Sequence, residues 1–142
     1  MNENDVIKLI EKQIPKKDYI RLIEDVGWKK YINYKAVGPA LKATIWSAVA
    51  KDNKANLIVG AVRIVGDGAI FYYIQDLMVL KKYRKRGIGT ALMECANNYL
   101  TKSTPEKSFT GLFTHVSNNK LYEKFGFNSS KNGLNGMHKY ND

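Results

Sequence analysis

Residues 81–90 read Lys-Lys-Tyr-Arg-Lys-Arg-Gly-Ile-Gly-Thr, and five of the first six are basic. The stretch follows a β-branched apolar run and precedes a segment with helical periodicity. Glycines at such a junction let the main chain turn tightly and approach a ligand. The first N–H groups of the helix lack intrahelical partners and can donate to phosphate oxygens. The chemistry indicated is pyrophosphate binding. Read as structure alone, Gly87 and Gly89 make a tight turn and the basic side chains face water. A dinucleotide-binding turn is excluded because Leu92 stands where its third glycine belongs. A P-loop is excluded because neither glycine is followed by Lys and then Ser or Thr. The single Cys95 rules out an intramolecular disulfide or a cysteine zinc cluster, and His115 and His138 have no metal-ligand spacing, so no metal is expected. Cys95 falls on an apolar helical stripe and reads as core, and Asp67 reads as a turn residue. His115, at an expected strand end, is either an acceptor-site residue or structural.

The elements that must position this loop are legible on both sides of it. Residues 6–12 suit a first strand by the alternation of Ile7 and Leu9, or a helix by Val6, Ile7 and Ile10; the strand is favoured, and Pro15 ends the segment. Tyr19, Leu22, Ile23 and Val26 fall at helical spacing, with Gly27 placed to stop the helix before Trp28. A second short helix is expected around residues 38–43. From Thr44, the runs TIWSAVA, NLIVGAVRIV and AIFYYIQDLMVL, separated by DNK and GDG, predict three consecutive antiparallel strands. After Gly87 the period becomes 3.6, with Ile88, Ala91, Leu92, Cys95, Ala96 and Tyr99 on one face. TKSTPEKS then reads as a polar loop, FTGLFTHV as a strand, NNKLYEKFG as a short helix and residues 136–140 as a last strand. A meander followed by a strand–helix–strand unit predicts an α/β (α+β) domain with a mixed sheet. Its 142 residues suit one domain, 1–142.

Lys and Arg number 23 against 13 Asp and Glu, a net charge of +10, so a polyanionic partner has to be weighed against a merely solvated surface. Nucleic-acid binding by a single-strand platform needs aromatic side chains interleaved with the basic ones, and KKYRKR has one Tyr. No run reaches the ~18–20 apolar residues of a membrane span. The first residues show no basic-then-apolar leader pattern. A cytoplasmic protein without a membrane partner is expected.

The hexapeptide Arg84–Gly89 meets the pattern Arg/Gln-x-x-Gly-x-Gly/Ala, and here the sequence resembles the GNAT superfamily of N-acetyltransferases. The stretch YIQDLMVL resembles the family's fourth strand, and Leu121–Phe127 (LYEKFGF) resembles its LYEKxGF element. With VGW at 26–28, VGDG at 65–68 and Gly136-Met137, nearly the whole chain follows small single-domain bacterial members. The resemblance implies a mixed, mostly antiparallel central sheet flanked by helices and splayed between strands 4 and 5 near a β-bulge. Acetyl-CoA would be the cosubstrate, with its pantetheine arm in the splay. By position, the main chain of Leu77, Met78 and Val79 would meet the thioester and pantetheine. Arg84, Lys85, Arg86, Gly87, Ile88, Gly89 and Thr90 would hold the pyrophosphate, Lys81 or Lys82 the 3′-phosphate, and Asn118 the pantetheine.

Acetyl transfer needs a neutral amine, a donor to the developing oxyanion and a proton for the departing thiolate. The family's functional Tyr corresponds to Tyr122, whose phenol suits that last role; as structure alone it belongs to an aromatic core. Relatives with a strand-four carboxylate base carry it slightly upstream, where this chain has Tyr73, Ile74 and Gln75, and Asp76 is the nearest acid. Asp76 could be a base, hold a relay water, or be a hydrogen-bond partner. Trp28, Tyr19 and Tyr73 could line an aromatic acceptor pocket, and Trp28 equally suits the core. The leading expectation is an N-acetyltransferase acting on a primary amine of a small molecule or peptide by direct attack in a ternary complex, with a homodimer the commonest assembly. A basic nucleic-acid-binding module and a non-catalytic acyl-CoA sensor are the alternatives.

Overall fold

A computed structural model describes residues 6–129 and 131–141, which fall into two compact units, residues 1–111 and 112–142. In the first unit, β1 (Ile7–Glu11), β2 (Trp46–Asp52), β3 (Leu57–Gly66), β4 (Phe71–Val79) and β5 (Phe109–Gly111) form one sheet in sequential order. The first three pairings are antiparallel and β4–β5 is parallel. The α3 helix (Ile88–Ser103) makes the crossover that a parallel pairing requires. The α1 helix (Lys16–Asp25) and α2 helix (Val37–Lys42) precede the meander.

Each element follows from its residues. Pro15 leads into α1 with extended backbone, and Tyr19, Leu22 and Ile23, spaced i, i+3, i+4, form its buried face. Gly27 ends it at φ 88°, while Trp28 N–H donates to the Ile23 carbonyl and Gly27 N–H to that of Glu24. This is a Schellman stop, which needs the left-handed residue that glycine supplies. At the GDG turn, Asp67 Oδ1 accepts from the main-chain N–H of Ala69, Ile70 and Phe71 at 2.8–3.0 Å, which makes it the turn residue expected.

The two faces of the sheet carry different helices. On one, the Trp46 ring stacks on Tyr99 of α3 at 5.2 Å between centroids, and Gly60 lies beneath Leu92 and Ile88 of the same helix. On the other, Arg63 and Asp76 meet Tyr19 of α1. Covered on both sides, β3 is buried over residues 58–64 and reads as a continuous apolar run.

Three expectations require correction. The α3 helix continues through Thr101–Ser103, expected as loop, because the break comes from Pro105, which drives Thr104 into extended backbone at ψ 139°. The strand expected over FTGLFTHV is limited to Phe109–Gly111, since β4 offers it register partners only from Phe71 to Tyr73. Residues 134–141 form no strand; they are exposed, and the His138 ring packs edge-on against Phe113 and Tyr140. In this second unit the short helix α4 (Asn119–Glu123) forms where expected.

The close approach of β3 to β4 and α3 yields a stability prediction. A Cβ at Gly60 would lie 2.9 Å from the Met78 carbonyl oxygen and 3.1 Å from Leu92 Cδ1. Gly60→Ala should therefore lower stability by about 1–3 kcal/mol through overpacking, read in urea as a lower midpoint with an unchanged slope.

Candidate active site

The β4 strand has an edge that β5 leaves open. Among the described residues, β5 pairs with Phe71, Tyr72 and Tyr73 only, so from Ile74 to Val79 that side of β4 has no strand neighbour. Toward β3 the ladder is continuous except at one place, where Ala61 faces Met78 and Arg63 faces Gln75. Asp76 and Leu77 thus oppose the single Val62, which is a β-bulge. Asp76 sits there at φ 61°, an uncommon conformation for a residue other than glycine.

The bulge decides which main-chain groups face outward. Ile70 accepts from Phe109 N–H at 2.7 Å, so even-numbered residues turn toward β5 below the bulge. Above it, Leu80 N–H donates back to Val59 at 2.8 Å, so alternation turns Val79 and Leu77 to the open edge. The Val79 carbonyl accordingly accepts from Arg84 Nε at 3.4 Å. Met78 lies between them, opposite Ala61, with a fully buried side chain.

The Asp76 carboxylate, in a residue 4% exposed, is surrounded by donors. Its Oδ2 accepts from Tyr19 Oη at 2.6 Å and from Arg63 Nε and Nη2 at 2.9 Å each, and its Oδ1 from Gln75 Nε2 at 2.9 Å. Burial first, and then the Asp76 charge, push the Tyr19 phenol well above its ordinary value, so it holds its proton and donates. Arg63 Nη1 also reaches the Ala40 carbonyl and Thr44 Oγ1 at 3.3 Å. Arg63 was not singled out from the sequence, and Tyr19 only on the helical stripe of α1 and as a candidate for the acceptor pocket. The signal available was a lone Arg within the apolar run LIVGAVRIV, which must find an acid if it is buried.

Beyond Val79 the chain enters the basic loop, and two acids anchor it. Lys81 N–H donates to Asp25 Oδ2 at 2.8 Å, and the Tyr83 hydroxyl to Asp52 Oδ2 at 2.7 Å. That hydrogen bond, with those from the main chain of Ala55 and Lys54, holds the Asp52 carboxyl below its ordinary value. Arg86 lies over the Tyr83 ring, 5.0 Å from its centroid. Lys81, Lys82, Arg84, Lys85 and Arg86 are all exposed. Lys85 and Gly87 are left-handed, at φ 64° and 79°, and α3 starts at Ile88 with no side-chain cap. The N–H groups of Ile88, Gly89 and Thr90 therefore have no helical acceptor. A Cβ at Gly87 would meet nothing within 4 Å, and one at Gly89 only Val79 Cγ2 at 3.8 Å, so packing within the protein requires glycine at neither place. The left-handed φ accounts for Gly87. This open, donor-lined turn can receive an anion.

In the second unit, Asn118 and Tyr122 lie one turn apart at α4, and Asn118 Nδ2 donates to Thr114 Oγ1 at 3.1 Å. Tyr122 is half-buried beside Phe127, with ring centroids 6.3 Å apart. Burial raises its phenol above the ordinary value, against a smaller lowering from a hydrogen bond with the same Thr114. Trp28 and Tyr73 are half-buried in the first unit. Burial also raises the Cys95 thiol, which disfavours the thiolate. Among the described residues, no group of three or more His, Cys, Asp or Glu could hold a metal ion, and no helix is long and apolar enough to cross a membrane.

Comparison with known proteins agrees with this geometry. Residues 42–129 match the acetyltransferase (GNAT) domain. An uncharacterised N-acetyltransferase of Porphyra purpurea is 29% identical over 122 residues, which span 84% of this chain and 68% of that relative. A GNAT-family acetyltransferase from Streptococcus pneumoniae is 30% identical with a TM-score of 0.77, over 95% of this chain and 98% of its own. A probable acetyltransferase from meticillin-resistant Staphylococcus aureus is 26% identical with a TM-score of 0.83, over 94% and 98% of the two chains. The sheet with its partly unpaired fourth strand, the glycine turn behind that strand and these relatives lead to one assignment: the chain belongs to the GNAT family and is an N-acetyltransferase.

Proposed function

We propose that the enzyme moves the acetyl group of acetyl-CoA to a primary amine of a small molecule or peptide by direct attack in a ternary complex. The observation that carries this reading is that the open edge of β4 runs, through a loop of exposed basic side chains, into the uncapped N-terminus of α3. An extended arm bearing amides suits a strand edge with unpaired N–H and C=O groups. A pyrophosphate suits free helical N–H groups among guanidinium and ammonium groups.

In this reading the main chain of Leu77, Met78 and Val79 receives the thioester and pantetheine, with Leu77 and Val79 turned to the edge. Arg84 to Thr90 hold the pyrophosphate, Lys81 or Lys82 the 3′-phosphate, and Asn118 the pantetheine. Trp28 and Tyr73 line the acceptor pocket. The amine lone pair forms the C–N bond as the C–S bond breaks. The ammonium proton passes to water, and Tyr122 gives its proton to the thiolate and recovers one from solvent. Of the roles open to Asp76, its burial among donors favours that of hydrogen-bond partner over base. The reading takes the protein as cytoplasmic and homodimeric, with no membrane or nucleic-acid partner.

Calorimetry with acetyl-CoA tests the donor half. Gly89→Val should weaken binding at least tenfold, about 1.4 kcal/mol, while changing stability by less than about 1 kcal/mol, since valine is no worse in a helix than glycine. Unchanged affinity in a folded Gly89→Val protein would make the glycines turn residues only.

Steady-state kinetics with a responsive amine from a panel test the acid. Tyr122→Phe keeps the ring and should lower kcat by about 10²–10⁴, with acetyl-CoA affinity nearly unchanged. Because burial raises the Tyr122 phenol, the wild-type rate should keep its donor through neutral pH and fall only above pH ~10. The variant should lack that alkaline limb. Full turnover with the limb intact would assign the proton to water.

A further inference from the structure

We propose that Tyr19 and Arg63 are positioning residues for acetyl-CoA: together they clamp the Asp76 carboxylate, lock the β4 bulge, and so fix which main-chain groups the open strand edge presents. The inference rests on the reading of that edge as the acetyl-CoA site and extends it to residues that touch no substrate.

The argument begins with strand parity. Residues facing outward are even-numbered below the bulge and odd-numbered above it, and the change occurs at Asp76. Were the bulge to anneal, with the strand above it shifted by one residue, the outward groups there would belong to Asp76 and Met78 instead of Leu77 and Val79; were it to move one position toward Met78, Asp76 would replace Leu77 at the edge. A one-residue shift turns every side chain to the opposite face as well, which would take the buried Met78 away from the face on which it packs. The bulge therefore has to be held at one residue.

Asp76 has no intrinsic reason to stay there. Its φ of 61° is one that an aspartate tolerates but does not prefer, and such a conformation persists where its surroundings over-determine it. The surroundings here are donors from three directions. The Tyr19 hydroxyl comes from α1, the Arg63 guanidinium from β3 by two nitrogens, and the Gln75 amide from the preceding residue of β4. Arg63 is itself fixed, since its third nitrogen reaches the Ala40 carbonyl and Thr44 and its guanidinium lies over the Tyr19 ring at 5.7 Å. Tyr19, Arg63 and Asp76 meet on the α1 face of the sheet, whereas Val79, whose Cγ2 lies 3.8 Å from where a Cβ at Gly89 of α3 would stand, is on the other. The clamp therefore acts on the edge through the backbone of β4.

The test compares wild type with Tyr19→Phe, Asp76→Asn and Asp76→Gly, each first shown to be folded by its thermal melt. Tyr19→Phe removes one hydroxyl and keeps the ring. Asparagine tolerates the same φ and keeps an acceptor, and glycine tolerates the φ and removes the clamp's centre. Acetyl-CoA affinity is measured by calorimetry, KM and kcat by thiol release, and the backbone NMR shifts of residues 75–79 without ligand. The proposal expects the shifts to move in Tyr19→Phe and more widely in Asp76→Gly. It expects Kd and KM for acetyl-CoA to rise several-fold in the first and more in the second, partial rescue in Asp76→Asn, and a smaller change in kcat at saturation. Wild-type affinity and unmoved shifts in folded Tyr19→Phe and Asp76→Gly would overturn it. So would loss of kcat in Asp76→Asn with Kd unchanged, because the carboxylate would then act in the chemistry. Failure of wild type itself to bind acetyl-CoA would instead refute the donor-site reading, while the ligand-free shifts would still report whether the clamp holds the bulge.

Discussion

The buried ion pair between Arg63 and Asp76 is the contact on which α1, α2 and the central strands β3 and β4 converge. It joins β3 to the irregular point of β4, receives Tyr19 from α1, and reaches the end of α2 through the Ala40 carbonyl. Burying two charges is costly, and their attraction recovers the cost only when geometry is good and the remaining polar atoms are satisfied. Here Asp76 Oδ2 alone has three donors. Net stability is not what distinguishes such a pair, because well-packed apolar residues often serve as well. Its distinguishing effect is positional. It holds one extra residue at one place in β4, and the order of exposed main-chain groups follows from that placement.

Electrostatics at the far end of the strand follow a second constraint. Five basic residues within six positions repel one another, and a helix N-terminus adds further positive potential. Asp25 and Asp52 anchor the loop at its main chain and at the Tyr83 hydroxyl, and Asp52 also feels the Arg86 charge. The result is a braced loop that keeps its positive charge exposed at the uncapped turn. Gly89 fits the same logic, since no protein atom lies close enough to require its missing side chain.

Much of this was legible in the chain. The three-strand meander was marked by β-branched runs and by DNK and GDG turns, α1 by its Tyr19–Leu22–Ile23 spacing and Gly27, and α3 by a clean change of period at Ile88. These signals are local, and local chemistry produces them. The resemblance implied a bulge near the splay, but nothing local marks Asp76 as its residue, because its partners Arg63 and Tyr19 lie 13 and 57 positions away. The early end of β5 was equally hidden. FTGLFTHV has a strand's composition throughout, and only the register of β4 limits pairing to Phe109–Gly111. For the site, the glycine turn and basic loop could be read from residue types, whereas Tyr19 and Arg63 required the fold to bring them to Asp76.

The central claim is that acetyl-CoA lies along the outer edge of β4 with its pyrophosphate at the start of α3. Residue-resolved amide hydrogen exchange, with and without saturating acetyl-CoA, tests it most directly. Leu77 and Val79, with open-edge N–H groups, and Ile88, Gly89 and Thr90, with no helical acceptor, should exchange readily in the free protein and become protected together on binding. Binding that protects amides elsewhere and leaves these five unchanged would contradict the account.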